Sequence, residues 1–161
     1  MSGPLHDFFT QDHRRIDDFL RAAAGAAGAA ASYAAFRAAL LRHIGMEEQI
    51  LLPAARRLSG GEPPAIARQL RADHAAIAAL LVPTPTPAIV EQLRALLSLH
   101  DALEEEAGGP YEARDQLAAA ESESLLRRLR AAPPVPLAPH FDGPRAFAAI
   151  DRLLCAAGRL R

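Results

Sequence analysis

The chain repeats itself, and the repeat places ionisable residues where a helix should bury its apolar face. Moving the first helical segment on by 61 residues lays Leu5, Phe9, Asp12, His13, Ile16 and Leu20 on Ile66, Leu70, Asp73, His74, Ile77 and Leu81. Moving the second on by 57 lays Arg37, Ala38, Leu40, His43, Glu47, Glu48 and Pro53 on Arg94, Ala95, Leu97, His100, Glu104, Glu105 and Pro110. A period that preserves both apolar and ionisable positions is the mark of one supersecondary unit used twice. Each unit here is a pair of helices, because the apolar residues recur at steps of three and four. Two helical hairpins about a pseudo-twofold axis make an antiparallel four-helix bundle.

The expected class is therefore all-α. Alanine, the best helix former, occurs 37 times, aromatic residues make up 5%, and no stretch reads as a β-branched strand. The bundle is expected over residues 1–112. Residues 113–161 have no counterpart in the repeat and are expected to form a C-terminal helical extension packed on the bundle as part of a single domain.

Local signals place the elements. Leu5, Phe9, His13, Ile16 and Leu20 form the first stripe, with Gly25 and Gly28 loosening the chain after it. Ser32 is the expected N-cap of the second helix, whose stripe is Phe36, Leu40, His43, Glu47 and Ile50. Pro53 should kink or break that helix, and Ser59-Gly60-Gly61 should end it. Pro63 and Pro64 are placed in the first turn of the third helix, and Pro83–Pro87 forms a stiff connector to the fourth. Gly108, Gly109 and Pro110 interrupt the fourth helix, and helix resumes from Tyr111 to about Ala132. Asp142 is the expected cap of a last helix that carries Pro144 in its first turn.

The ionisable members of the repeat point to a metal. An imidazole or carboxylate on a buried face is costly unless something binds it. Residues four apart on a helix lie about 40° apart around the axis and about 6 Å along it, so His43 and Glu47 are neighbours, as are His100 and Glu104. The candidate ligands are His13, His43, Glu47, His74, His100 and Glu104. Each carboxylate has two oxygens and can bridge two ions. Nitrogen and oxygen donors without thiolate suit iron, with manganese or zinc also admitted. A closed zinc site takes four ligands and often cysteine, so six candidates on four helices point to two ions. No glutamate is followed three residues later by histidine, which sets aside the ferritin-like E-x-x-H pattern, and H-E-x-x-H is absent.

The order His13, His43-x-x-x-Glu47, His74, His100-x-x-x-Glu104 resembles the hemerythrin-like, or HHE cation-binding, family over roughly residues 5–112. The acidic pairs Glu47-Glu48 and Glu104-Glu105 and the later Pro53 are similar to that family as well. The resemblance implies a four-helix bundle holding two non-haem iron ions. His13 and His43 would bind one, His74 and His100 the other, and Glu47 and Glu104 would bridge. The oxygen-carrying members have a further histidine one turn after the third-helix ligand, where this chain has Ala78. That departure implies an open coordination position, and favours sensing, iron handling or redox reaction over dedicated oxygen carriage.

Other polar residues are read as bystanders. Glu48 and Glu105 should face solvent, with support of a ligand or occasional service as a third ligand as the alternative. Asp12 and Asp73 should lie on the surface rather than orient an imidazole. His6 precedes the ligand stripe, and His140 lies in a proline-rich loop. Core packing is a sufficient role for Tyr33 and Tyr111. Cys155 is a small residue on the last helix, and the arginines at 127–130 form a solvated face.

The expected function is a metal- or gas-binding module for O2, nitric oxide or iron. The alternatives are a di-iron redox enzyme (peroxidase, nitric oxide reduction or iron–sulfur repair) and a metal-free interaction bundle. A net charge of −1 gives no electrostatic footprint for nucleic acid. The N-terminus lacks the basic-then-apolar layout of a signal peptide, and no run of about 18 apolar residues escapes a charge or proline. A cytoplasmic protein is expected, with the extension offering a homodimer contact.

Overall fold

The computed structural model describes residues 3–24, 28–107, 109–115 and 119–160. Gly25 and Gly108, both placed in breaks by the sequence, lie outside the described residues. All regular structure among the described residues is helical. The chain divides into two compact units. The first comprises residues 1–64 and 104–137, the second residues 65–103 and 138–161.

In the first unit, α1 (Pro4–Ala23) carries proline in its first turn, where a missing N–H is harmless, with Asp7 near its N-terminus and Arg21 in its last turn, both favourable to the helix dipole. It buries Leu5, Phe9, His13, Ile16 and Leu20, as the stripe predicts, together with Thr10. Its N-terminal amides are capped from a distant segment. Asp115 accepts from Leu5 N–H at 2.8 Å and His6 N–H at 3.0 Å. The carboxylate approaches so closely that a Cβ on Gly3 would meet Asp115 Cγ at 2.2 Å. Asp115 ends α6 (Pro110–Asp115), so this cap also fixes Tyr111, one turn earlier, against α1.

Helix α2 (Ala29–Met46) packs on α1. Its N-cap is Gly28, at φ +76°, rather than Ser32. Ala29, Ala30 and Ala31 are strong helix formers, so the helix runs back through them until a glycine breaks it. Pro53 acts earlier than a simple kink. One wide π turn, Glu47–Leu51, precedes it, with Leu52 N–H bonded back to Glu47 O. Proline has no N–H for an α-register bond and its ring presses on the carbonyl four residues back. The widened turn accommodates this, and α3 (Leu52–Leu58) starts with Pro53 in its first turn. Gly60 and Gly61, both at positive φ, follow its end as expected.

The region expected as one helix from Tyr111 to about Ala132 contains α6 and α7 (Ala119–Arg130). Arg42 donates to the carbonyls of Leu129 and Ala132 at the end of α7. Leu5, Phe9, Met46, Leu51, Tyr111, Leu125, Leu126 and Leu129 form one apolar core.

In the second unit, α4 (Ala67–Leu80) begins three residues beyond Pro64. Pro63 is held out of the α region by the proline that follows it, so both prolines precede the helix. The next helix, α5 (Pro87–Glu105), opens on proline, and Thr86 Oγ1 accepts from Ile89 N–H at 3.3 Å. Its last two residues, Glu104 and Glu105, belong to the first unit. Helix α8 (Pro144–Ala156) packs on α4. Its N-cap is Gly143, not Asp142. The Asp142 carboxylate instead accepts from Thr84 N–H at 2.7 Å and Thr84 Oγ1 at 2.8 Å. No helix among the described residues is long and apolar enough to cross a membrane.

Candidate metal centre

In the first unit, the stripes of α1 and α2 bring His13 and His43 together, with Nε2 atoms 3.0 Å apart. Glu47, in the π turn one turn after His43, places Oε1 3.4 Å from His43 Nε2. Glu104, at the end of α5, places Oε2 3.3 Å from His13 Nε2. One ligand atom from each of these four residues lies within 4.8 Å of every other. All four residues are buried, with both glutamates 1% exposed.

The outer nitrogens of both imidazoles are held by carboxylates. His13 Nδ1 donates to Glu105 Oε1 at 2.7 Å, and His43 Nδ1 donates to Asp12 Oδ2 at 2.9 Å. A carboxylate that only accepts keeps a proton on Nδ1, so Nε2 is the nitrogen that turns inward to take a proton or a metal ion. The two Nε2 atoms, 3.0 Å apart beside two carboxylates, make a cluster that attracts a cation. Nitrogens bound at about 2.1 Å to one ion, at right angles, would stand about 3.0 Å apart, so the spacing fits a shared ion.

The electrostatics run the same way. Burial pulls the His43 imidazole toward neutrality. The Glu47 charge, the Asp12 and Glu47 hydrogen bonds and the Glu104 charge outweigh it and push its pKa up to about 10. The site thus draws positive charge strongly enough to protonate a buried ring. The His13 hydrogen bond holds Glu105 below its ordinary range despite partial burial. Burial raises Asp12, yet its bonds to His43 and Arg15 leave it net lowered.

Asp12 and Glu105 are therefore corrections to the surface roles expected of them. The repeated Asp-His pair carried the signal, but the partner is not the adjacent residue. Neighbours on a helix point about 100° apart, so Asp12 reaches across to the histidine of α2. Tyr111 packs in the core as expected, but it also reaches the site. Its hydroxyl lies 2.5 Å from Glu47 Oε1, 2.7 Å from Glu104 Oε2, 3.2 Å from His13 Nε2 and 3.4 Å from His43 Nε2. Nothing in the spacing of the repeat could have placed it there. Tyr33 stays beside Phe36, in a packing role.

In the second unit, His74 and His100 are buried with ring centroids 4.8 Å apart. Asp73, on which the repeat superposes Asp12, is fully buried rather than at the surface. It lies 3.4 Å from His100 Nδ1 and accepts from Arg159 at 2.9 and 3.0 Å and from Gln69 at 3.0 Å. Burial raises its pKa, but the bonds from His100, Arg159 and Gln69 hold it well below the ordinary carboxylate range. The same aspartate-to-next-helix contact thus occurs in each unit. Ala78 is exposed and offers no donor. His140 is exposed, and Cys155 is an exposed free thiol on α8.

A family model, the hemerythrin HHE cation binding domain, matches residues 5–131. The chain belongs to the hemerythrin HHE cation-binding domain family. Neither comparison with curated proteins nor comparison with solved structures finds a match. The family match extends beyond the repeat to include α6, and so covers Tyr111 as well as the six candidate ligands. The buried histidines and glutamates of this HHE domain are of the right chemistry to hold a metal cation.

Proposed function

We propose that this HHE protein is a cytoplasmic non-haem di-iron module that binds or senses O2, nitric oxide or iron itself. His13 and His43 hold one ion, His74 and His100 the other, and Glu47 and Glu104 bridge them within an antiparallel four-helix bundle. The observation that carries the reading is the facing pair of Nε2 atoms on His13 and His43, each ring fixed by a carboxylate on its far side. The all nitrogen-and-oxygen donor set supports iron over softer metals. Such ions supply redox-active centres with affinity for small diatomic ligands.

The protein's own residues orient and neutralise. Asp12, Glu105 and Asp73 fix imidazole tautomers, a role that raises ligand basicity. Glu47 and Glu104 balance the charge of the cations in a buried setting. Ala78 brings no donor one turn beyond His74, which supports a coordination position open to an exogenous ligand at the second ion.

The test is metal content after iron reconstitution of the full chain. Wild type should hold about two ions, and Glu47→Ala and Glu104→Ala should each lose metal while retaining helical circular dichroism. Unchanged stoichiometry in both variants removes the assignment.

A further inference from the structure

We propose that Tyr111 is an additional oxygen ligand of the ion held by His13 and His43. The inference rests on the di-iron reading above and adds a phenolate to it. Its hydroxyl lies within 3.4 Å of a ligand atom from each of the four quartet residues.

The hydrogen bonding of the phenol is over-subscribed. It has one proton to donate, and two carboxylate oxygens, one from each glutamate, stand at 2.5 and 2.7 Å. An oxygen held between two carboxylates is better served by a cation than by a single hydrogen. The ring cannot turn aside to make room. Tyr111 is fully buried. It stacks on Phe9 with centroids 4.6 Å apart and planes 6° apart, and the His6 ring meets it edge-on at 6.4 Å. The backbone beneath is pinned by the bonds from Leu5 and His6 N–H to Asp115. An ion that enters the quartet therefore meets the Tyr111 oxygen as a fifth donor. On binding, the O–H bond is exchanged for an oxygen–metal bond, and the proton leaves to solvent.

Tyrosinate bound to ferric iron has a signature that histidine and carboxylate lack. It gives a visible phenolate-to-iron charge-transfer band, with phenolate ring modes enhanced in resonance Raman spectra excited within it. The chain has two tyrosines, so Tyr33→Phe serves as the control. The experiment is iron reconstitution of full-length wild type, Tyr111→Phe and Tyr33→Phe, with iron per chain measured on the same samples. Expected are the band and Raman modes in wild type and Tyr33→Phe, and their loss in Tyr111→Phe, which keeps the ring and still takes up iron through its histidines and glutamates. Iron-loaded wild type without the band, or a band that survives in Tyr111→Phe, overturns the tyrosine assignment alone. A wild-type chain that takes up no iron overturns the di-iron reading and this assignment with it.

Discussion

Replacing Asp12 by alanine should weaken metal binding without touching a proposed ligand. The His43 Nδ1 to Asp12 Oδ2 bond is 2.9 Å long, and the Asp12 side chain is 10% exposed. A hydrogen bond to a charged group in such a setting is worth about 1.5–3 kcal/mol. Loss of a partner that orients a histidine ligand lowers metal affinity about 10- to 100-fold, which is about 1.4–2.8 kcal/mol. The two estimates agree because they describe the same event: without Asp12 the ring loses both its fixed tautomer and part of its basicity. Asp12→Asn keeps an acceptor without the charge and should fall between wild type and alanine. Asp17→Ala removes an acid paired only with the exposed Arg21 on the same helix face and should change nothing, since such pairs are worth little. Competition titration against a chelator of known affinity, at one pH and with circular dichroism as a check on folding, reads the effect. An Asp12→Ala affinity within twofold of wild type would show that the carboxylate does not tune His43.

Other outcomes follow from the fold. Phe9→Ala removes a fully buried ring stacked on Tyr111 and should cost about 3–5 kcal/mol in chemical denaturation; a loss under 1 kcal/mol would show that the stack is not part of the core. Gly3→Ala drives a methyl into Asp115, so it and Asp115→Ala should each cost about 1 kcal/mol and combine less than additively. Asp73→Asn breaks a buried charged pair with Arg159 and should cost about 3 kcal/mol in chelator-treated protein. Because the native pKa of Asp73 lies below its ordinary 3.8, that difference should be full at pH 6 and shrink as pH falls below 3.8. A difference that grows on acidification would reverse the assigned sign.

The sequence made the buried stripes legible because helix periodicity is a local signal. Leu5 to Leu20 and Phe36 to Glu47 fall inward as their spacing requires. The six candidate ligands were legible for a related reason: an ionisable residue at an apolar position is an anomaly that a repeat turns into a pattern. Asp12, Asp73 and Glu105 were harder, because each acts on a histidine of another helix and only packing decides which face meets which. Tyr111 lay outside the repeat altogether, and its place depends on Asp115 capping a helix more than 100 residues earlier. Caps were misplaced at Ser32 and Asp142, where several residues in a row could start the helix and tertiary partners chose. Pro53 gave a correct warning of irregular backbone, but a proline alone does not say that the turn before it widens.

The most direct measurement is the iron count of the full chain beside two paired variants, His13→Ala/His43→Ala and His74→Ala/His100→Ala. Expected are about two ions per chain in wild type and the loss of at least one in each pair. A wild-type count near one or zero, or a pair that leaves the count unchanged, would rule out a two-ion centre held by these histidines.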